Sequence, residues 1–139
     1  MIYVSVMDKQ ELIAYWKETS DRDHGAMLNL FRSGDYHWSL FIGHLVIEKL
    51  LKALYTQNGR EDTAPPRTHD LTLLAERAGI ETTDEMKDTL DLVTTFNINA
   101  RYPDFKQDFY RKCTAEYTGT AIEKIEEIRQ WLISLLGPA

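Results

Sequence analysis

The sequence predicts an all-α protein: an up-and-down antiparallel bundle of four to five helices, built as one domain over residues 1–139. Three observations carry that expectation. Only 7 Gly and 4 Pro in 139 residues leave too few breaks for the frequent turns of an all-β chain. Apolar residues recur at spacings of three and four along most of the chain. A composition that is 43% hydrophobic and 27% charged suits a chain that buries one core, and the length is too short for two.

The first helix opens at Asp8, an N-cap residue type with Glu11 three positions on. Leu12, Ile13, Trp16, Met27, Leu30 and Phe31 then keep helical spacing. The polar run Glu18–His24 between them belongs either to one helix with a solvated middle or to two shorter pieces. Ser33-Gly34-Asp35 makes a turn, and a second helix runs from about Asp35 to Asn58, with Gly59 as its C-cap. On a helical wheel Leu40, Ile42, Val46, Ile47, Leu50, Leu51, Ala53 and Leu54 share one broad side, while His44, Glu48 and Lys52 form a stripe opposite. Phe41 and Leu45 fall within that stripe and Trp38 lies beside it, so this helix is expected to be central and packed on both sides. Its polar stripe is then either partly buried or under a partner subunit.

After the charged, Pro-Pro-containing loop Gly59–Arg67, Thr68-His69-Asp70 leads into a short third helix, Leu71 to Ala78, capped by Thr68 or Asp70 and ended by Gly79. Thr82-Thr83-Asp84-Glu85 starts a fourth, with Met86, Leu90, Val93 and Phe96 as its stripe. It fades through Asn97-Ile98-Asn99, and because Pro103 disfavours helical geometry at Tyr102, Arg101–Asp104 is expected to be a loop. The last helix, Thr114 to Leu136, is amphipathic with Glu123, Glu126 and Glu127 on its outer face.

Sixteen Lys and Arg against 22 Asp and Glu give a net charge of -6, so the overall field repels nucleic-acid phosphate and any such site must be a local basic cluster. Arg101, Lys106, Arg111 and Lys112 form one. The single cysteine, Cys113, closes no internal disulfide. No secretory segment follows the start and no apolar stretch is long enough to span a bilayer, which sets the expectation of a cytoplasmic protein without membrane contact. No glycine-rich phosphate loop, nucleophile elbow or His-Glu-x-x-His is present, and the histidines lack ligand spacing, so neither a cofactor nor a metal is expected.

Polar residues in unusual places remain. Glu48 and Lys52 stand at i, i+4, in the order of an ordinary surface ion pair worth about 0.2–0.5 kcal/mol, or, wedged among Trp38, Phe41 and Leu45, as a desolvated anchor. Asp70 reads as a helix cap and His69 as a residue ordering the Pro-Pro loop. Arg101 either caps carbonyls at the end of its helix or offers a guanidinium to phosphate, with Tyr102 as a stacking neighbour. The candidate site residues are therefore Arg101, Tyr102, His69, Asp70, Glu48, Lys52 and Lys106; no catalytic residue is assigned.

Three segments in order, Gly34–Leu54 with its Glu48-Lys49-Leu-Leu-Lys52-Ala53-Leu54, then Thr68-His69-Asp70-Leu71, then Asn99-Ala100-Arg101-Tyr102-Pro103-Asp104, resemble the HEPN family of small helical domains. Ser20, Asp23, Met27 and Tyr36 also fall where that pattern has its first-helix positions. The resemblance implies a helical bundle, commonly a homodimer, that handles nucleotides or RNA, often beside a minimal nucleotidyltransferase in a toxin–antitoxin-like pair. Active relatives cleave RNA without metal, using an Arg and a His with four to six residues between them. Counting from Arg101, the corresponding positions hold Lys106, Gln107 and Asp108, and no histidine follows His69. The expectation is accordingly a non-catalytic or degenerate binding module. A ribonuclease toxin with His69 as a displaced base, and a structural adaptor without a ligand site, are the alternatives.

Overall fold

The computed structural model describes residues 7–59 and 64–137. These form six helices, α1 (Lys9–Arg32), α2 (Tyr36–Asn58), α3 (Leu71–Arg77), α4 (Asp84–Arg101), α5 (Pro103–Lys112) and α6 (Ala115–Leu135), with no strand among the described residues. The helical class stands, and the count is six where four to five were expected. Arg60–Thr63, in the charged loop, and Met1–Val6, in the segment read for a secretory signal, lie outside the described residues.

Each boundary has a local cause. Asp8 accepts from the Glu11 amide, Asp70 from Leu73, Thr83 from Met86 and Thr114 from Tyr117, so four of the six helices start on a side-chain cap. Gly34 and Gly79 take φ of 84° and 74°, left-handed geometry that ends α1 and follows α3 at no steric cost. Gly59 is the C-cap of α2 in an extended conformation, so it does not supply the left-handed turn a C-terminal glycine commonly gives.

α1 is one continuous helix, and its polar middle faces the protein rather than solvent alone. Ser20 is fully buried and donates to the Val46 carbonyl at 2.8 Å. Asp23 pairs with Lys49 at 2.6 Å, and His24 with Glu126 of α6. Thus two of the first-helix positions in the resemblance tie α1 to α2.

α2 touches all five other helices, as its two-sided apolar pattern requires. Leu40, Val46, Ile47, Leu50, Leu51 and Leu54 are fully buried in one core with Met27, Leu71, Leu74, Leu90, Phe96, Ile125 and Leu132. At about 1.5–3 kcal/mol for each large apolar side chain, that core is the main source of stability. Gly43 lets the helices approach: a Cβ there would lie 2.7 Å from Ile125 Cδ1 and 3.1 Å from Met27 Sδ.

One expected loop is corrected. Tyr102 does leave helical geometry, at φ -89° and ψ 132°, as the following proline demands. But proline is also a favoured first residue of a helix, because its missing N–H is not needed there. Pro103 therefore opens α5, with Asp104 in the first turn and Arg111 and Lys112 in the last, the charge order that suits the helix dipole.

Candidate functional site

The polar stripe of α2 is where the site is built. Glu48 is 5% exposed, and its two oxygens are divided between two cationic or protonatable partners. Oε1 accepts from His69 Nδ1 at 2.6 Å, and Oε2 lies 3.4 Å from Lys52 Nζ, which also sits 5.3 Å from the centre of the Trp16 ring. Lys52 is itself only 15% exposed, so the i, i+4 pair is the desolvated form of the two readings and not a surface bridge. His69 reaches back over α2 because Asp70 fixes the start of α3 and Thr68 Oγ accepts from the Asp70 amide, at 3.1 Å. Asp70 is thus a cap that places His69, and no contact assigns it to a ligand site. With Nδ1–H donated to a buried carboxylate, the neutral His69 ring carries its lone pair on Nε2, on a side chain that is 57% exposed.

His44, one turn before Glu48, is fully buried. Its Nε2 stands 2.9 Å from the His69 carbonyl, which can only accept, so Nε2 carries the proton. Its Nδ1 is then an acceptor, and the Asn97 side-chain amide of α4 donates to it over a long 3.4 Å. Asn97, 2% exposed, turns its oxygen the other way, to Arg101 Nη2 at 2.7 Å, while Arg101 Nε reaches the Asn97 carbonyl at 3.4 Å. Burial pushes the His44 pKa below its ordinary value, and the nearby Arg101 charge adds to that against the opposing pull of the His69 carbonyl and Glu48. A continuous line therefore runs from Lys52 and Glu48 through His69 and His44 to Asn97 and Arg101.

Arg101 is exposed at the end of α4, and among the described residues no carboxylate pairs with it. It does contact its own helix end, as a capping residue would, through Nε and Nη2, and among the described residues its Nη1 group makes no hydrogen bond to the protein. Its guanidinium carbon is 6.0 Å from the Phe41 ring centre and 5.5 Å from that of Tyr102. Lys106 lies 5.4 Å from the Trp38 ring centre. Trp38 continues to Phe41 on one side and to His37 on the other, and His37 meets Tyr110. Burial, then Lys106, holds the His37 pKa below its ordinary value. Cations and exposed rings thus alternate over α2, α4 and α5.

Six of the seven candidates therefore gather in two adjoining parts. Glu48, Lys52 and His69 form one, Arg101, Tyr102 and Lys106 the other. The members that join them, His44 and Asn97, are absent from the candidate set. A signal for both was present: His44 lies on the Glu48 stripe, and Asn97 sits four residues before Arg101 among the apolar positions of its helix. Among the described residues no group of three or more His, Cys, Asp or Glu is placed to hold a metal ion.

Together these features define a class: a helical domain with one central helix, whose buried polar line ends in an outward-facing arginine. A family model described as "HEPN domain" matches residues 13–135, and the chain belongs to that family. A crystal structure of TT1696 from Thermus thermophilus is similar, with a TM-score of 0.76 at 18% identity over 89% of this chain and 98% of that one. At that identity the likeness is one of fold. A search of curated proteins returned no match.

Proposed function

We propose that this HEPN domain is a cytoplasmic binding module that takes a phosphate of a nucleotide or RNA at Arg101. The observation that carries the reading is the state of the guanidinium: Asn97 Oδ1 orients it, no described carboxylate neutralises it, and Tyr102 and Phe41 flank it. An arginine fixed on one edge offers its remaining N–H groups to a tetrahedral anion at low entropic cost. Lys106 and the exposed Trp38 and Tyr102 rings supply a second charge and stacking faces. Arg101→Ala is expected to weaken binding of a short oligoribonucleotide at fixed salt by about 10- to 100-fold, the range of a charge-assisted hydrogen bond. Unchanged affinity with the helical content intact removes Arg101 from the site.

The exposed Trp38, Tyr102, Phe105 and Tyr110 support a homodimer across this face, which would bring two Arg101 side chains to one cleft. A sedimentation run at micromolar concentration that shows only a 16.1 kDa species refutes it. A minimal nucleotidyltransferase is the partner the family suggests, and co-purification from a co-expressing cell tests that pairing.

One observation favours a second reading, a metal-independent ribonuclease. Glu48 holds His69 by Nδ1 on a side chain that is 57% exposed, the arrangement of an oriented general base, and His44 and Asn97 join it to Arg101. Cleavage in the presence of a chelator that leaves 2′,3′-cyclic ends and disappears in His69→Gln supports this reading. Intact RNA after long incubation with the dimer overturns it.

A further inference from the structure

We propose that His44 and Asn97 are positioning residues that hold Arg101 in place only while His44 is neutral, so that a proton arriving at a buried ring releases an arginine at the surface. Asn97 has one amide oxygen and one NH2 group, and each is committed: the oxygen to Arg101 at 2.7 Å, the NH2 to His44 Nδ1 at 3.4 Å. That division is possible only if Nδ1 carries no proton. His44 Nε2 is already bound to donate to the His69 carbonyl, so a second proton has only Nδ1 to occupy.

A proton on Nδ1 points one donor at another. The conflict is relieved when the Asn97 amide turns over, and the turned amide presents NH2 to Arg101, a donor facing a donor. The guanidinium then loses its short bond, and a positive imidazolium now stands near it. His44 and Asn97 are both at least 98% buried, so no solvent molecule readily substitutes for the lost partner. The charged and titratable groups acting on His44 are Glu48 on its own helix, His69 ahead of α3 and Arg101 on α4. Only Glu48 among them favours the extra proton, and it is engaged by His69 and Lys52. Its burial puts the transition below the ordinary histidine range, so the arginine is held at neutral pH and freed on acidification.

The phosphate-binding reading of Arg101 gives this coupling its purpose, but the test uses the full chain without ligand, so the two stand or fall separately. Nitrogen NMR of the His44 ring and the Arg101 Nε–H group is followed from pH 8 to pH 5. At the upper end His44 is expected as the Nε2–H tautomer. On acidification the Arg101 signal moves with the same midpoint as the His44 ring. His44→Gln, whose amide can reproduce one donor and one acceptor, removes the Arg101 transition. Asn97→Asp keeps an oxygen on Arg101 whatever the state of His44; it raises the His44 midpoint and abolishes the movement of Arg101. An Nδ1–H tautomer at neutral pH, a His44 titration that leaves Arg101 still, or a transition that persists in both variants overturns the proposal.

Discussion

Glu48 is the buried carboxylate among the described residues, and at 5% exposure it must be satisfied on both oxygens. Glu48→Ala strands the mostly buried Lys52 ammonium and leaves His69 without its acceptor, and it is expected to cost about 2–3 kcal/mol in urea unfolding. Glu48→Gln keeps an oxygen for His69 and costs about 1 kcal/mol. Equal losses in the two variants would show that packing, and not the hydrogen bonds, sets the value. Cys113 makes a simpler case: burial raises its thiol to about 11, so at pH 8 it is protonated and enclosed. Its reaction with a thiol-specific disulfide reagent should be slow in the folded protein and immediate in denaturant.

At the scale of elements, α3 is only seven residues long and depends on its cap. Asp70→Ala removes the bond to the Leu73 amide and is expected to cost about 1 kcal/mol. Because the same turn positions His69, the variant should also blunt whatever His69 contributes to RNA binding or cleavage. Gly43 governs the approach of α2 to α6 and α1, and Gly43→Ala drives a methyl into the buried Ile125 side chain. A loss of about 1–3 kcal/mol, read as a lower midpoint in thermal melting, is the expected result of overpacking. Pro103 shows how local signals cut two ways, since the rule that ends one helix at Tyr102 also starts the next. The sequence marked the break correctly; the ten residues after it needed both halves of the rule.

For the whole molecule, the two lowered histidines set the response to acid. The folded state favours neutral His37 and His44, so below about pH 6.5 the unfolded chain binds the extra protons and stability falls as pH falls toward their folded values. The urea midpoint is expected to drop between pH 7.5 and pH 5.5, and His44→Gln should flatten that dependence in part. The net charge of -6 makes a broad nucleic-acid surface unfavourable, so oligonucleotide affinity should fall with salt by a shallow slope, that of about one to three neutralised phosphates.

Periodicity, caps and the scarcity of turn residues were enough to determine an all-helical chain and its central helix, because those signals are local and repeat along the sequence, while the resemblance to the family rested on three ordered segments, Gly34–Leu54, Thr68–Leu71 and Asn99–Asp104. They also placed Arg101 and His69 among the candidates. What they left open were relations between distant residues: whether Glu48 and Lys52 faced water, whether His69 crossed to α2, and whether anything joined it to Arg101. Those depend on which side chains share a volume, and burial is a property of the folded chain. Only the tertiary structure turned a polar stripe into a sealed one, fixed the tautomer of His44 by closing it against a carbonyl, and brought Asn97 into line between His44 and Arg101.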